Sequence, residues 1–252
     1  MKTLKTKIKF YKILNSFVMF SLVATFIYVT IELILAPATL NEALPNQRLK
    51  SDYVLIMFQC LLGILAMFLP AFIEKRIHID IPSFMLIMYT LFLYAAIYLG
   101  EVRNFYNIIP YWDTILHTFS GVMLGALGFS VVNILNKSER VPINLSPLFV
   151  AAFALCFAVT MGVLWEIYEY AVDGILSTNM QRFNTADGNP LIGRKAVEDT
   201  MKDLIVDTIG AFFMTIIGYI SLKYKKGWID RFMLRYKDRK IIDDNKEIVF
   251  TK

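Results

Sequence analysis

The chain has 252 residues, of which 57% are apolar, with a mean hydropathy of +0.54 and a formal net charge of +5. This composition excludes an ordinary soluble domain, because too little polar sequence remains to surround so much apolar sequence. The positive charge comes from basic flanking segments, so we expect anionic membrane lipids as partners and no nucleic acid.

Six long apolar runs follow one another along the chain, each near the roughly 20 residues that a helix needs to cross a bilayer. They cover residues 13–36, 53–73, 81–100, 113–135, 147–172 and 203–222. We predict an all-α fold, a polytopic integral membrane helical bundle with about six transmembrane helices. The bundle forms one unit over 1–222, and a basic cytoplasmic tail follows over 223–252.

Basic residues in the connecting segments are unevenly divided between the two sides of this predicted bundle. Nineteen lysines and arginines fall on the side that holds both termini, and seven fall on the other side. Because cytoplasmic loops carry an excess of lysine and arginine, we expect both termini in the cytoplasm of a bacterium and a multi-pass protein of its plasma membrane.

Acidic and imidazole side chains occur at helical spacings around the last three runs. Ionisable groups at membrane depth usually face the bundle interior or a watery cavity, and they mark functional sites. Residues spaced by three or four positions share one face of a helix. In chain order the sets are Asp113 and His117, then Glu166 and Glu169, then Asp199, Asp203 and Asp207.

In the predicted orientation all three sets lie toward the outer side of the fourth, fifth and sixth helices. Their faces continue into glycines, which let membrane helices approach closely. We therefore expect these helices to pack through the same faces and to bring the acids together, within residues 110–222. The glycines concerned are Gly121, Gly125, Gly128, Gly162 and Gly210.

Carboxylates crowded in a site of low dielectric do not all stay ionised unless protons, a basic side chain or a metal cation join them. Arg103 and Lys202 are the nearest basic side chains in sequence, and two of them neutralise only part of the cluster. Mixed imidazole and carboxylate ligands suit zinc, iron or manganese, whereas an all-oxygen shell suits magnesium or calcium. We predict a divalent metal site with the candidate ligands Asp113, His117, Glu166, Asp199 and Asp203.

These motifs resemble those of the YjdF-like proteins, a bacterial inner-membrane family of unknown function. The resemblance rests on Asp113-Thr-Ile-Leu-His117, on Trp165-Glu166-Ile-Tyr-Glu169-Tyr170, and on Asp199-Thr-Met-Lys-Asp203 followed by Gly210. It covers residues 110–222, and Asp207 is less typical of the family. The resemblance implies that these residues matter in an inner-membrane protein, and it implies no particular activity.

Three functional classes stay open from the sequence. The leading hypothesis is a metal-dependent membrane hydrolase or phosphatase of lipid-linked or envelope substrates, in which Glu169 is the catalytic general base on a metal-bound water. The alternative is a proton- or cation-coupled transporter that uses the same carboxylates as a relay. The third is a scaffold whose polar cluster is structural. The expected partners are membrane lipids and a lipid-linked or small-molecule ligand.

Other segments predict structural features that are common in membrane proteins. Tyrosines and tryptophans near the outer ends of the fourth and fifth helices predict an aromatic belt. Residues 185–190 predict a turn within the long outer loop 173–198, whose position suits a cover over the site. Ile229, Phe232, Met233 and Tyr236 recur at helical spacing among basic residues, which predicts an amphipathic helix on the inner leaflet.

Overall fold

The computed structural model describes residues 2–38, 47–136, 145–185 and 188–237. Its helices are α1 (Lys2–Leu35), α2 (Lys50–Ile77), α3 (Ser83–Leu93), α4 (Phe105–Ile108), α5 (Trp112–Asn136), α6 (Pro147–Leu176) and α7 (Glu198–Lys223). A π-helical segment, Tyr94–Val102, continues α3, and a 3₁₀ turn, Gly193–Val197, precedes α7. Two short strands, β1 (Ile79–Asp80) and β2 (Arg235–Tyr236), complete the described part.

Six helical segments in this part of the chain are long and apolar enough to cross a membrane, and α4 is the short helix between the third and the fourth. The predicted all-α bundle of six transmembrane helices is therefore confirmed. Large apolar side chains such as Phe20, Phe72 and Phe213 remain exposed along these helices, as faces that contact lipid acyl chains require. The placement of both termini in the cytoplasm and the boundary at 222/223 stay predictions.

The helices pack in two groups. Helices α1 and α2 pack with α3 and its π-helical continuation around a core that includes Leu22, Cys60 and Ile97. Helices α5, α6 and α7 pack against one another around a second core that includes Phe129 and Ala154. The second group contains all the helices on which sequence spacing places the acidic faces.

Glycines set the close approach of α5 to α7. A Cβ atom on Gly121 would collide with the backbone carbonyl of Asp207, and one on Gly210 would collide with the carbonyl of Thr118. Gly128 lies in the same way against Ala154 of α6. The prediction that these helices pack through their glycine faces is confirmed, and this packing lets acids on different helices share one site.

The predicted amphipathic helix over 229–236 is wrong. After α7 the backbone turns back through positive φ at Lys225 and Gly227, and Ser221 Oγ accepts hydrogen bonds from the amides of Trp228 and Ile229. Strand β2 then pairs antiparallel with β1, which follows α2. Ile229 and Leu234 are buried against the bundle rather than spread on a lipid surface, because the reversed chain covers the end of α5.

Candidate metal centre

The acidic faces meet at one end of the second helix group, which we call the acidic end. It is formed by the N-terminal turns of α5 and α7 and the C-terminal turns of α6, because these neighbouring helices run antiparallel. Polar side chains are buried there although they lie inside membrane-spanning segments: His117, Glu166, Glu169, Asp173, Asp203 and Asp207. The expected convergence of the three helices is thus present in the structure.

His117 is the centre of this arrangement. Its Nδ1 lies 3.2 Å from Asp207 Oδ2, and Ser120 Oγ lies 2.5 Å from the other oxygen of the same carboxylate. Its Nε2 faces two further carboxylates, at 3.7 Å from Asp113 Oδ1 and 4.0 Å from Asp203 Oδ2. The two ring nitrogens therefore have different surroundings, one in hydrogen-bonding contact and one at longer distance from two acids.

Asp113, His117 and Asp203 each offer one ligand atom such that all three atoms lie within 4.8 Å of one another. Two ligand atoms that are each about 2.1 Å from a tetrahedral metal lie roughly 3.4 Å apart. The distances of 3.7 Å and 4.0 Å from His117 Nε2 to the two aspartates are each somewhat longer than this. A His/Asp group with the spacing of a metal site exists here, and three of the five predicted ligands belong to it.

Glu166 lies beside this group without belonging to it. Both of its carboxylate oxygens are buried, and neither accepts a hydrogen bond from the described residues. The side-chain amide of the nearby Gln181 donates to Thr200 Oγ1 at 2.9 Å and to the backbone carbonyl of Glu166 at 3.5 Å. A buried carboxylate without a partner is costly, so either a proton or a cation is needed to neutralise it.

Asp199, the remaining predicted ligand, faces a cation of the protein instead. Arg182 Nη1 lies 3.7 Å from Asp199 Oδ1, and Arg182 Nη2 lies 3.3 Å from Asp113 Oδ2. Burial lowers the pKa of Arg182, but the carboxylates around it outweigh this effect and raise the pKa above its ordinary value. The guanidinium therefore stays charged and offsets part of the acidic cluster.

The two basic side chains nearest to the acids in sequence form no ion pair with the buried acids among the described residues. Lys202 pairs at the surface with Glu198 at 3.0 Å, and Arg103 is exposed. Sequence distance misled here, because Arg182 reaches the site from the loop between α6 and α7, which folds back over the acidic end.

Asp173 holds that loop in place. One of its oxygens accepts hydrogen bonds from Thr178 Oγ1 at 2.6 Å and from the Met180 amide at 2.7 Å, and the other accepts from the Gln181 amide at 2.9 Å. Asp173 was missed as a candidate, although its spacing of four from Glu169 puts it on the same face of α6. It positions the residue that follows Gln181, which is Arg182.

Farther along the loop, the described residues on either side of the predicted turn over 185–190 lie close together. The Gly188 amide donates to the carbonyl of Thr185 at 2.9 Å, and Asn184 pairs with Pro190 in an antiparallel bridge. Residues 186 and 187 lie outside the described residues. The loop contacts the site through Gln181 and Arg182, upstream of this turn.

Glu169, the proposed general base, is buried and accepts a hydrogen bond from Trp165 Nε1 at 2.9 Å. Trp165 was expected only in the aromatic belt, and this contact ties it to the site. Tyr111 and Tyr170 are exposed, as a belt requires.

Tyr106 of α4 borders the acidic end under the guanidinium of Arg182, whose Cζ lies 5.8 Å from the ring centroid. Burial raises the pKa of the Tyr106 phenol well above its ordinary value, and the nearby carboxylates of Glu101, Asp113 and Glu169 raise it further. The phenol is therefore un-ionised at neutral pH, and its ring forms an uncharged boundary of the site. Its ring fits there because Gly100 leaves room that a Cβ atom would fill.

Comparison with known proteins identifies the family of this chain. The family model described as predicted membrane protein (DUF2238) matches residues 14–224. The chain belongs to this family. An uncharacterized protein of Thermotoga maritima is 33% identical over 152 residues, which are 60% of this chain and 70% of the relative. No solved structure matches.

Membership of this family confirms the resemblance to bacterial membrane proteins of unknown function. Together with the six spans it makes the chain a multi-pass membrane protein, and the bacterial relative agrees with a bacterial plasma membrane.

Proposed function

We propose that this protein is a metal-dependent membrane hydrolase or phosphatase, which binds a divalent ion at Asp113, His117 and Asp203 and acts on a lipid-linked or envelope substrate. The observation that carries the proposal is the spacing around His117 Nε2. Both carboxylates that it faces lie beyond the roughly 2.7–3.2 Å of a direct hydrogen bond, yet close enough to share an ion with it.

The surroundings of the second ring nitrogen, Nδ1 of His117, support the same proposal. A metal-bound histidine usually donates its other N–H to a carboxylate, which fixes the tautomer and the ring orientation. Asp207 occupies that position at 3.2 Å from Nδ1, and Ser120 holds its far oxygen. Glu166, whose buried oxygens accept no hydrogen bond from the described part of the chain, is the natural further ligand. Nitrogen and carboxylate donors together favour zinc, iron or manganese.

A divalent ion at this position would lower the pKa of a bound water, which makes hydroxide available at neutral pH. Glu169 lies on the same face of α6 as Glu166, one turn farther, and would serve as the base that takes a proton from the attacking water. As the water oxygen forms its bond to the carbon or phosphorus of the ester and the bond to the leaving oxygen breaks, Glu169 would return the proton to that leaving oxygen.

A second candidate is a proton- or cation-coupled transporter. The contacts of Asp207 with His117 and Ser120 favour it, because these groups extend the polar chain one helical turn deeper than Asp203. Beyond Asp207 the α5–α7 seam closes tightly around Gly121 and Gly125, which counts against an open path between these two helices.

The deciding experiment is the metal content of protein purified without chelator, measured by inductively coupled plasma mass spectrometry. His117→Ala and Asp203→Asn are compared with His78→Ala. His78 is an exposed histidine at the C-terminal end of α2, outside the candidate site. We expect one divalent ion per chain in the unaltered protein and in His78→Ala, and its loss in the two site variants.

Size-exclusion profiles confirm that each variant is folded. A protein that carries no ion under these conditions rules out the metal-dependent hydrolase, and ion or proton flux in proteoliposomes then tests the transporter.

A further inference from the structure

Arg182 is more exposed than the two carboxylates that it faces at the acidic end. Its side chain is 38% exposed, whereas the side chains of its partners Asp113 and Asp199 are 19% exposed. It therefore sits at the rim, between the buried candidate metal position and the outside of the bundle. An incoming polar group meets this guanidinium before it meets the deeper carboxylates.

The backbone holds Arg182 in this place at a cost. Its φ of 48° lies in the left-handed region, which residues other than glycine seldom adopt. The hydrogen bonds of Asp173 to the preceding loop, and the bond from the Gln181 side chain to Thr200 of α7, fix this conformation. Backbone conformations of this kind persist where the surrounding structure enforces them, and they cluster at functional sites.

One carboxylate links Arg182 to the candidate metal position. Asp113 Oδ2 lies 3.3 Å from Arg182 Nη2, while Asp113 Oδ1 faces His117 Nε2 at 3.7 Å. The guanidinium and the metal position are thus separated by the width of a single carboxylate. A phosphoryl group with one oxygen on the metal and another on the guanidinium spans a comparable gap.

Charge gives this geometry a chemical preference. The acidic end holds more carboxylates than the described cations beside it offset, so it repels an anionic substrate unless a positive group receives it. A guanidinium presents a planar fork of donors that matches a phosphate, and it binds phosphate in preference to a neutral ester or amide.

We propose that Arg182 binds the phosphoryl group of the substrate, and that this protein acts on a phosphate ester. This inference rests on the proposed function and narrows its substrate class. The competing role for Arg182 is charge compensation of Asp113 and Asp199 alone, in which case the guanidinium has no part in ligand binding.

Binding of inorganic phosphate to the metal-loaded protein in detergent tests the proposal by isothermal titration calorimetry, with metal content measured on the same samples. Arg182→Gln is compared with Arg194→Gln, the same change at an exposed arginine of the 3₁₀ turn before α7. We expect phosphate affinity to fall about 10- to 100-fold in Arg182→Gln, as the loss of a charged hydrogen-bonding group implies, and to be unchanged in Arg194→Gln.

Two further variants make the result specific. Asp199→Asn frees Arg182 Nη1 from its partner, so phosphate should bind more tightly. Arg182→Lys keeps the positive charge and loses the planar set of guanidinium donors. Its affinity for phosphate should therefore lie between those of the unaltered protein and Arg182→Gln. If Arg182→Gln is not monodisperse, Arg182→Lys decides the question.

The phosphoryl group has two sources, a soluble phosphate or a lipid headgroup. A parallel titration adds short-chain phosphatidic acid to the same micelles, and the tighter of the two ligands identifies the source.

Equal phosphate affinity in Arg182→Gln and the unaltered protein, with metal bound in both, overturns the role of Arg182 and leaves the proposed function standing. If the unaltered protein holds no metal, the proposed function fails separately. Phosphate binding that Arg182→Gln abolishes then still supports the anion site, and absence of phosphate binding in every variant overturns it.

Discussion

Nδ1 of His117 on α5 lies 3.2 Å from Oδ2 of Asp207 on α7, and the two residues are 90 positions apart in the chain. This contact exists because the two helices cross at Gly121 and Gly210, where a larger residue would collide with the opposite backbone. It orients the imidazole so that Nε2 faces Asp113 and Asp203. The helix crossing and the candidate metal centre are therefore parts of one structural arrangement.

Replacing Asp207 with asparagine should weaken metal binding without removing a ligand. The amide is neutral and supports the imidazole less well than a carboxylate does, and such changes typically cost about 10- to 100-fold in metal affinity. Competition with a fluorescent chelator measures the affinity, and Asp230→Asn, an exposed aspartate beyond α7, serves as the control. Equal affinities in the two variants would show that Asp207 does not orient a metal-bound histidine.

Gly162 of α6 should not tolerate alanine. A Cβ atom built there lies 2.9 Å from Asp207 Oδ2, so the added methyl group must displace this carboxylate from His117. We expect Gly162→Ala to lower both metal affinity and the free energy of unfolding, the latter by about 1–3 kcal/mol.

Gly174→Ala is the matched control for this change in the same helix. No atom of the described residues lies within 4 Å of a Cβ built at Gly174, and alanine is the better helix former by about 1 kcal/mol. Denaturation in mixed micelles compares the two variants. A Gly162→Ala protein as stable as Gly174→Ala would mean that Asp207 moves aside at little cost.

The parts of the site that follow from helix periodicity could be predicted from the sequence. The spacing of Asp113 and His117, and that of Glu166 and Glu169, fixes which face of each helix they occupy, whatever the helix packs against. The glycines on the same faces then indicate which faces meet. Neither argument needs knowledge of a loop or of side-chain rotamers.

The residues that sequence reasoning missed depend on tertiary structure. Arg182 lies in a loop, and its approach to Asp113 follows from the hydrogen bonds that Asp173 makes to the loop backbone. Asp207 belongs to an acidic set visible in the sequence, yet its contact with Nδ1 depends on the depth at which α5 and α7 cross. The C-terminal segment had a helical apolar pattern, but backbone reversal at Gly227 and pairing with β1 overrode it.

The uneven distribution of basic residues predicts the orientation of the bundle. Nineteen lysines and arginines on the side of the termini, against seven on the other, predict that both termini lie in the cytoplasm and the acidic end outside. A fluorescent protein fused to either terminus should fold and fluoresce, and a cysteine placed at Arg194 should react with a membrane-impermeant maleimide in spheroplasts. Labelling only after the membrane is permeabilised would reverse the assignment.

Tyr106 should make the stability of the protein depend on pH in the alkaline range. Its folded pKa is raised above the unfolded value near 10, so the neutral phenol stabilises the fold fully below about pH 10. This contribution is lost as pH rises from there toward the folded pKa. Thermal denaturation between about pH 9 and 11 should therefore show a steeper loss in the unaltered protein than in Tyr106→Phe. Parallel curves for the two proteins would contradict the burial of an un-ionised phenol at this position.

Asp173 should control the loop that carries Arg182 while leaving the metal ligands in place. Its carboxylate accepts hydrogen bonds from Thr178, Met180 and Gln181, so Asp173→Ala removes all three at once, whereas Thr178→Val removes one. Since each such bond to a charged group stabilises by about 1.5–3 kcal/mol, amide exchange in a peptide covering 178–182 should accelerate about 100-fold or more in Asp173→Ala and much less in Thr178→Val. Metal content should stay unchanged, and phosphate affinity should fall together with the protection of the loop, because Arg182 loses its fixed position. Rapid exchange with undiminished phosphate affinity would show that the loop does not position the guanidinium for binding.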